Sequence, residues 1–100
     1  MRVIAKRTLR VFWESNPRHL AAKPLLEDWH ARVEAADWSR PPELKADFGD
    51  ASVLRGGRVV FNLGGNKFRV VVRINYHYRV VYVRFVGTHD AYDRIDAQTI

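Results

Sequence analysis

Apolar positions change their period near the middle of this chain. In the first half they recur every three to four residues: Leu9, Phe12 and Trp13 form one stripe, and Leu25, Leu26, Trp29, Val33 and Ala36 form another. That spacing puts side chains on one face of a helix. Thr8 is placed to cap the first helix and Pro17 to end it, while Pro24 suits the first position of the second. Asp37-Trp38-Ser39 closes that segment, and Pro41-Pro42 imposes an extended bend. A short helical turn from Pro42 then sets Leu44 and Phe48 inward. Ahead of all this, residues 2–5 are short, alternating and β-branched, which predicts a first strand.

From Val53 onward the period is two. Val59, Phe61 and Leu63 alternate with Arg58, Val60 and Asn62, and Gly64-Gly65-Asn66 accepts the positive φ angles of a hairpin turn. The next strand carries Phe68, Val70, Val72 and Ile74 on one face and Lys67, Arg69, Val71, Arg73 and Asn75 on the other. Asn75-Tyr76-His77-Tyr78 turns the chain again. A last strand over about residues 79–86 points Val81, Val83 and Phe85 inward and Tyr82 and Arg84 to the cationic face. The predicted order is β-α-α-β-β-β, an α+β fold. Two helices pack on one face of an antiparallel sheet and leave the other face open. No repeat or linker interrupts the pattern, so residues 1–100 are expected to form one domain.

Charge sharpens this picture. The net charge is +6, but it is unevenly spread: no acid occurs between Asp50 and Asp90, where Arg55, Arg58, Lys67, Arg69, Arg73, Arg79 and Arg84 all lie. A one-sided field of this kind is the footprint of a polyanion site. The chain has no cysteine, which excludes disulfides and thiolate metal sites. No apolar run is long enough for a bilayer span or a signal-peptide core, so a cytoplasmic protein is expected.

Lys67, Arg69 and Arg73 fall at i, i+2 and i+6, so one strand face holds all three over roughly 20 Å, at about 3.3 Å per residue. Tyr82 and Arg84 join them from the neighbouring strand, and Arg55 and Arg58 extend the set. Cations that hold a backbone, with rings that stack on bases, suit a single-stranded nucleic acid. Cations that merely protect a sheet edge would explain one or two of these charges, and an unbroken set of seven poorly. Immediately after the last strand, His89, Tyr92 and Asp93 supply groups that take and give protons near neutral pH. Other features have plainer readings. Trp13, Trp29 and Trp38 fit the core. His19 and His30 sit on helix ends or faces, and His77 in a turn. Gly64-Gly65 reads as turn chemistry, because no helix N-terminus follows it.

Across nearly its whole length the chain resembles the HigB-type toxins of the RelE/ParE superfamily. The similarity is carried by Gly87-Thr88-His89 with Tyr92-Asp93 and Ile95-Asp96, by Val59-Val60-Phe61-Asn62, by Gly65-Asn66-Lys67 with Arg69, and by Ile74-Asn75-Tyr76. Thr8-Leu9-Arg10 with Phe12-Trp13-Glu14 adds a block near the start, and Pro24-Leu25, Trp29 and Ala36-Asp37-Trp38 add another. The resemblance implies a RelE-like fold and a toxin that cleaves messenger RNA in the ribosomal A site. In such a reaction the ribose 2′-OH attacks the adjacent phosphate, with no metal or other cofactor. That reaction needs a base, an acid and cations: His89 is expected as base or acid, Tyr92 as its partner or a stacking platform, and Lys67, Arg69 and Arg73 to stabilise the charged phosphorane or hold phosphates. Arg55, Arg58, Tyr82, Arg84 and Asp93 then belong to the RNA-binding surface, with Asp93 able to orient His89. The implied partners are the ribosome, mRNA and a HigA-type antitoxin whose helix-turn-helix domain alone would contact operator DNA; no membrane partner is implied. Two other readings stay open: a ParE-like toxin that inhibits DNA gyrase by binding, and an RNA-binding module without chemistry.

Overall fold

The computed structural model describes residues 1–100. Strand β1 (Arg2–Ile4) leads into helices α1 (Lys6–Glu14), α2 (Ala22–Ala35) and α3 (Pro41–Asp47). Strands β2 (Ser52–Val53), β3 (Arg58–Leu63), β4 (Phe68–Asn75) and β5 (Val80–Thr88) follow, and α4 (His89–Tyr92) is a single short turn. The sheet order is β1-β5-β4-β3-β2. β1 lies parallel to β5, and every other pair is antiparallel. The α+β class and the antiparallel meander are as the periodicity predicts. The parallel edge, the two-residue β2 and α4 are additions to it.

The predicted inward residues build the helix-side core. Leu9 and Trp13 from α1, Leu26, Trp29 and Val33 from α2, and Leu44 from α3 are buried against Val59, Phe61, Val70, Val72 and Val81. Trp29 and Phe48 both meet Phe61 edge-on, at ring distances of 5.3 and 5.0 Å. The helix starts differ from the sequence reading. α1 begins at Lys6 with no side-chain cap, so Thr8 lies inside it. α2 begins at Ala22, which puts Pro24 third rather than first. Proline is tolerated there because the first-turn N–H groups of a helix have no partner within it.

A second correction concerns β5. Val71 pairs with Phe85 but Val72 pairs with Val83, so Arg84 is an extra residue on β5. Such a bulge resets the alternation of faces. Phe85, expected inward, instead packs on the far side of the sheet with Val60 and Val71, while Val86 returns to the helix side.

That far side is not open along its middle. Residues after α4 fold back across it, and Ala97 is buried on Val60 and Val71 with Leu54, Tyr92, Ile95 and Ile100 around them. The return is clasped at its end. Gln98 Nε2 donates to the Arg55 carbonyl at 2.9 Å, and the Arg55 N–H donates to Gln98 Oε1 at 3.1 Å. The Arg58 guanidinium donates to the Ile100 main-chain oxygen. The reason lies in the strands: Val60 and Val71 are cross-strand partners facing away from the helices. They form an apolar strip whose burial is favourable. No helix is long and apolar enough to cross a membrane.

Candidate active site

The covering segment divides the cationic face in two, and one end gathers most of the predicted chemistry. The β3–β4 turn uses Gly64, Gly65 and Asn66 at φ of 62°, 61° and 85°, which brings Lys67 under the end of β5. The His89 N–H donates to the Lys67 carbonyl at 3.2 Å, tying α4 to that turn. Thr88 caps α4, its Oγ1 accepting from the Ala91 N–H at 3.2 Å. His89 and Asp93 then fall one turn apart on the same side of the chain.

Arg69 reaches across to them from β4. Its Nη2 lies 3.1 Å from His89 Nδ1 and 3.5 Å from Asn66 Oδ1. Its guanidinium sits over the Tyr92 ring, 4.8 Å from the centroid. A guanidinium can only donate, so His89 Nδ1 carries the lone pair and Nε2 the hydrogen. His89 Nε2 lies 3.4 Å from Asp93 Oδ2. The imidazole thus lies between a guanidinium and a carboxylate. Arg69 Nε, by contrast, is buried with no partner. A buried N–H without an acceptor is costly. The ring of His89 and the carboxylate of Asp93 are both about half exposed, so the cluster opens to solvent.

The floor beneath is set by Gly87, the partner of Arg69 in the ladder. A Cβ at Gly87 would come within 2.4 Å of the Phe85 ring. Glycine thus leaves room for the Phe85 ring, which packs on the same cluster as Tyr92.

Residues 22–95, which contain the whole cluster, match the model of a family described as the HigB toxin, RelE-like toxic component of a toxin-antitoxin system. The chain belongs to the HigB family of RelE-like toxins. It is similar to the mRNA interferase toxin HigB of Escherichia coli strain K12, with 30% identity over 95 residues, covering 93% of this chain and 88% of the relative. The mRNA interferase HigB proteins of Escherichia coli O157:H7 and Shigella flexneri match to the same extent.

Seen as a HigB-family site, the predicted residues sort into three groups. Arg69, His89, Tyr92 and Asp93 come together. Lys67 borders them but lies in the turn before β4 rather than on a strand face, because the hairpin needs four residues to reverse. Arg73, Tyr82 and Arg84 are brought together elsewhere, at the other end of β4. Arg73 is four residues from Arg69, roughly 13 Å along a strand. Arg58 and Arg55 are clasped by the returning chain, Arg58 through its side chain and Arg55 through its backbone with the side chain left exposed. Asn66 and Thr88 were read from sequence as turn and motif residues rather than site residues, and Gln98 was not singled out. A threonine directly before the His89 block carried a readable signal, as a favoured N-cap type.

Proposed function

We propose that this chain is an endoribonuclease that cleaves mRNA on the ribosome, in the A site, and so stops translation. The observation that carries the reading is the meeting of Arg69, His89 and Asp93 over Tyr92, with the buried Nε–H of Arg69 unpartnered. A scissile phosphate competes for Arg69 and draws it from His89 Nδ1. The freed lone pair takes the proton of the 2′-OH, while Asp93 holds the Nε2 hydrogen and keeps the ring oriented. The 2′-oxygen bonds to phosphorus and the bond from phosphorus to the 5′-oxygen breaks. Arg69 and Lys67 stabilise the phosphorane, and the Tyr92 hydroxyl gives its proton to the departing oxygen. The products are a 2′,3′-cyclic phosphate and a 5′-OH end.

That the relatives are mRNA interferases supports the substrate class. The family's place in toxin-antitoxin systems supports a neutralising partner, which we assign to the HigA type with a helix-turn-helix domain. The site of action is then cytoplasmic. The test is induced expression with mapping of mRNA 5′ ends. Wild type should yield codon-associated cuts bearing 5′-OH ends, and Arg69→Gln should lose them. Gyrase-linked DNA damage without cuts would replace this reading with a ParE-like one, and neither outcome would leave an RNA-binding module. A His89→Ala variant cutting at full rate would remove His89 from the mechanism.

A further inference from the structure

At the Asn75 end of β4 a cleft of about 600 Å³ opens between the sheet and the Arg55–Gly57 turn, within the range of roughly 300–1,000 Å³ typical of small-ligand sites. Its composition is specific. Arg73 makes no hydrogen bond or ion pair with the protein, and Arg84 makes only a 3.4 Å contact to the Ile100 oxygen. These two guanidiniums are less engaged than those of Arg58 and Arg69. Tyr82, 39% exposed, is opposite Arg73 in the ladder and also lines the cleft. Tyr76 is a second lining phenol, and its Oη is buried with no hydrogen-bond partner. Burial pushes that phenol above its usual range, so it stays a donor at neutral pH. Asn75 Oδ1 accepts from the Tyr78 N–H at 3.1 Å, which leaves the side-chain amide hydrogens unused. Along the opposite wall, Gly57 at φ 77° approaches so closely that a Cβ would be 2.6 Å from the Ile74 carbonyl. The wall there is bare backbone.

Cations for a phosphate, a ring for stacking, and unspent donors at fixed positions are what one nucleotide of a single strand requires. We propose that this cleft is a nucleotide subsite that binds an RNA residue a short stretch of strand away from the cleaved bond and selects its base. Arg73 and Arg84 hold the phosphate, Tyr82 stacks on the base, and the Asn75 side-chain amide reads its edge. The inference rests on the reading of the chain as a handler of single-stranded RNA, and gives that reading a source of sequence preference.

The test uses the full chain, isotopically labelled, titrated with four 2′-O-methyl homo-hexanucleotides. The methyl group removes the attacking hydroxyl, so binding is read without cleavage. Amide signals of Gly56, Gly57 and Asn75 should shift, with one base bound more tightly than the others. Tyr82→Ala, an exposed change, should weaken that base about tenfold and level the four affinities. Arg73→Gln should weaken all four alike. Absent shifts at Gly56 and Gly57, or equal affinities for all four bases that inorganic polyphosphate matches, would overturn the subsite. Cleavage in cells without these shifts would leave the proposed function standing and remove the subsite. Base-selective shifts without any cleavage would do the reverse.

Discussion

The two faces of the sheet are made by the same strands and do different work. On the helix side, seventeen buried residues form one continuous core, and three aromatic rings interlock at its centre. On the other side the buried apolar cluster is just Val60, Val71 and Ala97, under a segment with little regular structure. The first face is what makes the chain fold. The second buries just enough to fix the C-terminal segment, and in doing so it separates two cationic ends. The sheet's stability and its chemistry are thus carried by alternate residues of one strand.

Adjacent valines offer the cleanest way to break this comparison. Val71 and Val72 are both fully buried but face opposite sides. Val72→Ala opens a cavity between rigid layers and should cost about 2–3 kcal/mol. Val71→Ala lies beneath a short segment that can settle, and should cost about 1 kcal/mol. Denaturant unfolding of the two variants reads the difference, and equal losses would mean the tail is as firmly packed as the helices. Gly87→Ala should come next at about 1–2 kcal/mol, since Phe85 must move. It should also reduce cleavage, because Phe85 and Tyr92 share a packing cluster. Stability and cleavage measured on one preparation would show whether the two losses travel together.

The smallest effect concerns Tyr76, whose phenol is raised above its ordinary value of 10.0 by burial. A raised folded value means the neutral phenol favours the fold. Its contribution is complete below about pH 10 and is lost as pH climbs through the folded value. Unfolding followed from pH 8 upward should show a steeper alkaline loss for wild type than for Tyr76→Phe. Superimposable curves would show that the hydroxyl titrates freely.

Most of the fold was legible because periodicity reports which face a residue occupies. The stripes of α1 and α2, the hairpin at Gly64-Gly65 and the α3 turn at Leu44 and Phe48 followed directly. The bulge at Arg84 did not, since one inserted residue alters no composition and only the partner strand reveals it. The parallel pairing of β1 was hidden for a similar reason: its partner lies some eighty residues away. For the site, the residue types that met around Arg69 were all nameable beforehand. Their separation from Arg73 was not, because strand alternation gives direction but says nothing of what lies across the face. Ile95, Ala97 and Ile100 had no periodic frame to announce them as its cover.

The central claim is that the Arg69 end does the chemistry and the Arg73 end holds the strand. Single-turnover cleavage of mRNA in programmed ribosomes, at increasing protein concentration, tests it most directly. Arg69→Gln should lower the limiting rate about a hundredfold or more, whereas Arg73→Gln should mainly raise the concentration needed for half that rate. The opposite pattern, with the limiting rate lost on changing Arg73 and kept on changing Arg69, would contradict the account.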